Sequence, residues 1–347
     1  MKILVIQQKM IGDVLTSSVL FELIKKKYPN YKLDYLINNH TSAVVENNPF
    51  IDKIIFFSPK VEQNYWELLK FLWGIKKQKY DAVIDLYGKI SSVLVTLFSL
   101  AKIKVSYHKK YTSFIYTDAI KRLKKAENGL SLALENRIKL LQPLNIKFEA
   151  VKPRIYLAKK EKEFAKIFLK NNGLELEKPI LMVSVLGSSS SKTYPKPYMA
   201  MLIDAIGKID NIQILFNYIP AQIEAVKAIF KACRPETQKK IFLSVYSKKL
   251  RDFIGVTSQC MALIGNEGGA VNMAKALGVS TFAIFSPKLN KENWFGVKEA
   301  SKHQAIHIGD FEENISDPSA DIKAEYLKMK PEYIIPKLDI FLNKLLK

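Results

Sequence analysis

Cysteine is almost absent from this chain of 347 residues. Cys233 and Cys260 fit no metal-ligand spacing, and so few thiols exclude a disulfide framework and point to a reducing compartment. Histidine is nearly as scarce: His40, His108, His303 and His307 are the whole set, too few for a histidine-based metal centre. His303 and His307 are spaced to share a helix face, but Gln304 stands where a zinc protease carries Glu, so both read as surface residues. No metal site is expected. Arginine is limited to Arg122, Arg137, Arg154, Arg234 and Arg251, although the formal net charge is +21. Base reading in DNA grooves leans on the arginine fork, so no sequence-specific nucleic-acid partner is expected. Long apolar runs are missing too. The longest, "ISSVLVTLFSLA" (Ile90 to Ala101), falls short of the roughly eighteen residues of a membrane span and reads as a buried helix. The chain opens directly on a strand, with no charged n-region leading a long apolar stretch, so it reads as signal-free, soluble and cytoplasmic.

What is present is lysine, apolar residue and alternation. A large positive charge predicts attraction to something anionic, unless the lysines are simply spread over solvated faces. The length implies two domains of roughly 150 residues each, and a hydrophobic content of 48% fills two cores. In the first half, "KILVIQ", "KLDYLIN", "KIIFF", "AVIDLY" and "IKVSY" read as strands, and Ser17 to Tyr28 and Tyr65 to Lys77 carry helical spacing. Pro153 and the extended "RIYL" mark a crossing, after which a Lys-rich helix ends at Gly173. A second alternation follows, with strands "PILMVSVL", "IQILFNY", "IFLSV", "MALIGN" and "VSTFAIFS". Strands alternating with helices at this pitch predict parallel βαβ units with ligand sites at the strands' carboxyl ends. The boundaries are set at 1–152 and 158–330, and the segment 331–347, apolar at helical spacing, is expected to pack back on the first domain.

Three stretches at strand ends carry chemistry. In "QQKMIGDVLTSS", Gly12 is read as letting the loop turn tightly and Asp13 falls near a helix N-terminus, where the macrodipole favours its ionised form. It is either a cap or a catalytic carboxylate. No G-x-G-x-x-G surrounds it, which argues against a dinucleotide-binding first turn and a dehydrogenase. In "LGSSSSKTYPKPYMAML", Ser188 and Ser189 offer hydroxyls and N–H groups and Lys192 a point charge, equipment for a diphosphate or a plain solvent loop. The Walker A pattern is absent. In "IGNEGGAVNMAKALGVSTFAIFSP", Gly268 and Gly269 allow close backbone approach or positive φ before a helix, with Glu267 and Asn272 flanking the turn.

These stretches, with "NNPFIDKIIFF", "YDAVIDLYGKI", "IKVSYHKK" and "SSSKTYP" in the same order, resemble glycosyltransferase family 9, the lipopolysaccharide heptosyltransferase family, over nearly the whole chain. The resemblance implies an α/β GT-B architecture: two Rossmann-like domains facing across a cleft, the acceptor held by the first and the nucleotide sugar by the second. It implies an inverting glycosyltransferase that moves a heptose from ADP-heptose to a lipopolysaccharide core or related surface-glycan acceptor. No tightly bound metal and no cofactor are needed. The family's general base maps onto Asp13, and its donor contacts onto Ser188, Ser189, Lys192, Glu267, Gly268, Gly269 and Asn272. A further acidic donor contact falls near Gln222 in "NYIPAQIEA". Where many members have Asp-Thr-Gly followed by His, this chain has Glu267-Gly268-Gly269 and Asn272, which leaves the sugar open. The implied partners are an ADP-linked sugar donor and an anionic glycolipid acceptor, with a peripheral contact at the inner face of the cytoplasmic membrane. "WELLKFLWGIKK" (Trp66 to Lys77) could make that contact or be a core helix. The alternatives are a transferase using another nucleotide sugar or acceptor, and a nucleotide-sugar-binding protein without catalysis.

Overall fold

A computed structural model describes residues 1–297, 300–311 and 321–346. The chain divides into two compact units, Met1–Tyr156 and Leu157–Lys347. In the first, β1 (Lys2–Ile6), β2 (Lys32–Ile37), β3 (Lys53–Phe56), β4 (Ala82–Asp85), β5 (Ile103–Tyr107) and β6 (Asp118–Ile120) form one sheet. The order is β3-β2-β1-β4-β5-β6 and every pairing is parallel. Helices cover both faces of such a sheet, which is why Ile3, Leu4, Val5 and Ile6 are all fully buried rather than alternately so. Strand order reverses direction between β1 and β4, and ligand crevices in open parallel sheets form at the carboxyl ends beside such a reversal.

The helix Tyr65–Lys77 starts where the Asn64 side chain accepts from the N–H groups of Trp66 and Glu67. The core reading holds for one face of the helix only. Leu72 and Ile75 enter the core with Leu4, Ile6 and Val83, while Trp66 and Trp73 face solvent. The helix Ile90–Phe98 buries Ser92, Val93, Val95 and Thr96 but exposes Ile90 and Leu97, so the apolar run is buried on one side only.

The second unit contains β7 (Ile180–Ser184), β8 (Gln213–Asn217), β9 (Ala262–Asn266), β10 (Ser280–Ile284) and β11 (His303–Ile306). They are parallel in the order β11-β10-β9-β7-β8, with the reversal between β9 and β7. The Lys-rich helix Lys159–Asn171 leads in and ends at Gly173, whose φ of +85° is the left-handed turn expected there. The observed class is α/β with two Rossmann-like units, as expected.

Four features differ from the sequence reading. "IFLSV" is not a strand: Ile241 makes one isolated bridge to Ile214 on the edge strand β8 and the chain then turns away. The edge strands β6 and β11 were not anticipated. His303 and His307 are buried, not on the surface, and lie in and just beyond β11 rather than on a helix. The His303 Nδ1 lies 3.2 Å from Thr281 Oγ1 and the His307 Nε2 lies 3.0 Å from the Pro287 carbonyl. Finally, the C-terminal helix, expected against the first unit, is seated in the core of the second.

That helix, Pro331–Leu346, runs through Pro336 and presents Ile334, Leu338, Phe341 and Leu342 at helical spacing. All four join the core that includes Met199, Ile203 and Phe282, and Phe341 meets the Phe282 ring at a centroid distance of 5.6 Å. The stripe could be read from sequence but the partner could not. Leu338→Ala should destabilise the second unit by about 2–5 kcal/mol, because Leu338 is fully buried and the cavity cannot collapse completely. Urea unfolding followed by circular dichroism measures this, and an unchanged midpoint would place the helix elsewhere.

Candidate functional site

Each unit gathers its polar residues at the reversal point of its own sheet. In the first, β1 leads through Gln7–Met10 into the helix Ile11–Ser17. The turn is made by Met10, at φ 70°, and not by Gly12, which lies inside the helix and is absent from the positive-φ residues. A non-glycine residue there pays a local strain cost. Asp13 sits in the first turn, yet no side chain caps this helix, which removes the capping reading.

Its carboxylate instead meets Arg137. One Nη2 donates to Asp13 Oδ1 at 2.6 Å, Nε donates to Ser17 Oγ at 3.0 Å, and Nη1 donates to the Ala133 carbonyl at 2.8 Å. Arg137, on the helix Leu132–Lys139, has a side chain only 9% exposed, whereas that of Asp13 is 31% exposed. A buried guanidinium fixed at three points thus aims a carboxylate that still reaches water. Tyr35 braces the same helix by donating to the Val14 carbonyl at 2.8 Å, and burial pushes its hydroxyl pKa far up, so it stays neutral. The helix Ile90–Phe98, which follows β4, closes on this loop, with Ser91 Oγ donating to Gln8 Oε1 at 2.6 Å.

Arg137 is the residue at this site that the sequence reading missed. Its only signal was an arginine among the apolar residues of "LALENRIK" in a chain so poor in arginine.

In the second unit, the loops after β7 and β9 meet. Lys192, in the turn Ser190–Lys192, has its Nζ 3.2 Å from Glu267 Oε1. Glu267 is 9% exposed, and that oxygen makes no hydrogen bond among the described residues, so the contact is one of charge. Asn266 holds the strand ends together: its Oδ1 accepts from Tyr194 N at 2.7 Å and its Nδ2 donates to the Ser184 carbonyl at 2.9 Å. Gly268 takes a φ of 153° and precedes the helix Gly269–Ala276, which has no side-chain cap. A Cβ on Gly268 or Gly269 would meet no protein atom within 4 Å. Uncapped N–H groups with open space before them form an anion-binding arrangement.

The remaining candidates fall around this point. Ser188 and Ser189 are exposed on the β7 loop, with Ser189 Oγ 2.9 Å from Ser191 Oγ. Asn272 is half-buried on the helix Gly269–Ala276. Gln222 supports the loop from behind: its Nε2 donates to the Gly187 carbonyl at 3.0 Å and its Oε1 accepts from Ile219 N at 3.1 Å. No group of three or more His, Cys, Asp or Glu among the described residues could hold a metal ion.

Comparison with known proteins gives a consistent result. The model of the family described as glycosyltransferase family 9 (heptosyltransferase) matches residues 68–315. That span includes all the second-unit candidates and Arg137 but not Asp13. Lipopolysaccharide heptosyltransferase 1 of Campylobacter coli is 23% identical over 306 residues, covering 85% of this chain and 86% of its own. Among solved structures, a glycosyl transferase family 9 protein from Veillonella parvula superposes with a TM-score of 0.78 at 18% identity, covering 99% of this chain and 97% of that one. The Escherichia coli ADP-heptose lps heptosyltransferase II superposes with a TM-score of 0.76, also at 18% identity, and both chains are covered in full, 100% each.

Proposed function

This chain belongs to glycosyltransferase family 9, and from that premise we propose that it transfers a heptose, with inversion, from ADP-heptose to an acceptor of the lipopolysaccharide core. The observation that carries this reading is the Asp13 carboxylate, held by Arg137 at 2.6 Å instead of capping its own helix. Asp13 takes the proton of the acceptor hydroxyl as its oxygen bonds to the anomeric carbon. The bond to the diphosphate breaks as the new one forms, so the proton need not reside on a weak base before bond formation. The second unit holds the donor. Lys192 and the uncapped N-terminus at Gly269 neutralise charge on the departing ADP. Ser188 and Ser189 donate to its oxygens, and Glu267 and Asn272 contact the sugar. The acceptor, a phosphorylated glycolipid, matches the positive charge of the chain.

A second reading keeps the fold and changes the sugar. Glu267, Gly268 and Asn272 depart from the Asp-Thr-Gly and His of the family pattern at the positions assigned to sugar and diphosphate. A pure nucleotide-sugar binder, by contrast, has no use for a buried arginine that orients a carboxylate in the other unit. Thermal unfolding with ADP, UDP, GDP and NAD tests the donor. A ligand at a hundredfold excess over its Kd adds about 2.7 kcal/mol, and ADP should do so selectively. Stabilisation by NAD alone would sink the transferase reading. Turnover of a nucleotide-sugar panel with a truncated lipid acceptor then separates the two sugars.

A further inference from the structure

Two buried polar atoms of the second unit, Glu267 Oε1 and Tyr326 Oη, make no hydrogen bond among the described residues. Tyr326, on the helix Ile322–Lys328, is 1% exposed, and Glu267 is 9% exposed. Buried polar atoms without partners are rare, because each has given up its bonds to water and gained nothing in return. Both atoms belong to one place. Glu267 follows β9, and its N–H donates to the Ile284 carbonyl at 3.0 Å, which sets it beside the end of β10. Tyr194, whose N–H is held by Asn266 Oδ1, meets the Tyr326 ring edge-on at a centroid distance of 6.1 Å. Tyr326 is thereby brought to the same strand ends, although it lies outside the span 68–315 that the family model matches.

The chemistry of the two atoms is complementary. Burial pushes the Tyr326 pKa far up, the Ser286 hydroxyl opposes that shift and the Glu267 charge adds to it, so the phenol keeps its proton and donates. A carboxylate oxygen accepts. Ser286, just beyond β10 and 2% exposed, spends its own proton on the Ser191 carbonyl at 2.8 Å and retains lone pairs that accept. The three groups match one water molecule, which accepts from Tyr326 and donates to Glu267 and Ser286. About three partners are usual for a buried water. Both atoms are shut off from the surface, so a substrate group does not reach them.

Lys192 also lies against Glu267 Oε1, at 3.2 Å, but by charge alone. A donor diphosphate competes for that lysine. Were Lys192 the sole compensation of Glu267, binding the donor would strip a buried carboxylate of its partner, and affinity would suffer. We propose that Tyr326 is a positioning residue for Glu267, acting through one enclosed water shared with Ser286, and that this bond releases Lys192 to the diphosphate. The proposal rests on the assignment of Lys192 to the donor.

Tyr326→Phe tests it, since the change removes Oη and keeps the ring against Tyr194. An Oη without a partner would make this variant melt higher than the parent, whereas loss of the bound water should make it melt lower. ADP affinity, read by isothermal titration, should fall about tenfold, the scale of one hydrogen bond to a charged group. In a Glu267→Gln background the same change should alter affinity by less than about twofold, because the competing charge is gone. A purely structural role for Tyr326 predicts the same loss in both backgrounds. A high-resolution crystal structure of the ligand-free parent reads the water directly, whether or not the variant folds. The proposal is overturned by a parent without density in hydrogen-bond reach of Tyr326 Oη and Glu267 Oε1, by a variant that melts higher or binds ADP as the parent does, or by equal losses in the two backgrounds. A parent that holds the water but binds no ADP overturns the assignment of Lys192 to the donor instead, and with it the release of that lysine.

Discussion

Asp13→Asn should leave ADP binding intact and slow sugar transfer by about 10²–10⁴-fold, the range by which a positioned base accelerates such a step. The amide has the shape of the carboxylate and still accepts from Arg137, but it cannot take the acceptor's proton. The change also leaves a guanidinium with 9% side-chain exposure without its counter-charge. Removing one partner of a fully buried ion pair costs about 3–5 kcal/mol. The cost here should be smaller, because Asp13 is 31% exposed and water already screens the pair. The two effects separate experimentally: thermal melting reads the pair, and stabilisation by ADP shows whether the second unit remains competent. A variant that transfers at the parental rate would reduce Asp13 to a structural partner of Arg137.

Gly187→Ala should act from the other unit. A Cβ at Gly187 would stand 2.0 Å from the carbonyl oxygen of Lys192 and 2.5 Å from its carbon. Both are backbone atoms, so no rotamer change relieves the clash and the loop must open. The position is pinned further by Thr193 Oγ1, which accepts from Gly187 N at 3.1 Å, and by Gln222 on its carbonyl. Overpacking of this kind typically costs about 1–3 kcal/mol, and here the displaced group is Lys192 itself. Donor affinity should therefore fall more than tenfold, with reduced stability. Gly269→Ala makes the contrasting case, since its Cβ meets nothing within 4 Å. Its stability should stay near that of the parent while ADP binding weakens, provided the diphosphate approaches that backbone. Isothermal titration with ADP reads both variants, and parental affinity in Gly187→Ala would detach the β7 loop from donor binding.

Much of this organisation could be read from the sequence because it is local. The strands β1 to β5 and β7 to β10 are apolar runs bounded by turn residues, and burial on both faces makes such runs conspicuous. The placement of Lys192, Glu267 and Gly268 together could be read because they follow β7 and β9, and polar loops in parallel sheets gather at the carboxyl ends of strands. What escaped was long-range or marginal. Arg137 meets Asp13 across 124 positions of sequence, and nothing local in either helix announces the pair. β6 and β11 are edge strands, paired on one side only, and β6 has three residues. "IFLSV" has the composition of a strand but borders an edge where one bridge suffices. Gly12 drew attention as the glycine of the loop, yet the backbone turned at Met10, because a tertiary fit can hold an ordinary residue at positive φ.

The seat of the last helix also sets the order in which the protein can be made. Because Pro331–Leu346 completes the second core and not the first, the first 156 residues hold every strand and helix of their own unit. They can fold while the ribosome is still translating the remainder, on the order of ten to forty seconds at typical elongation rates. The second unit has no such lead. Its core lacks one wall until the final turns have left the exit tunnel, so a stop codon shortly before Pro331 should yield a sound first unit joined to one that cannot close.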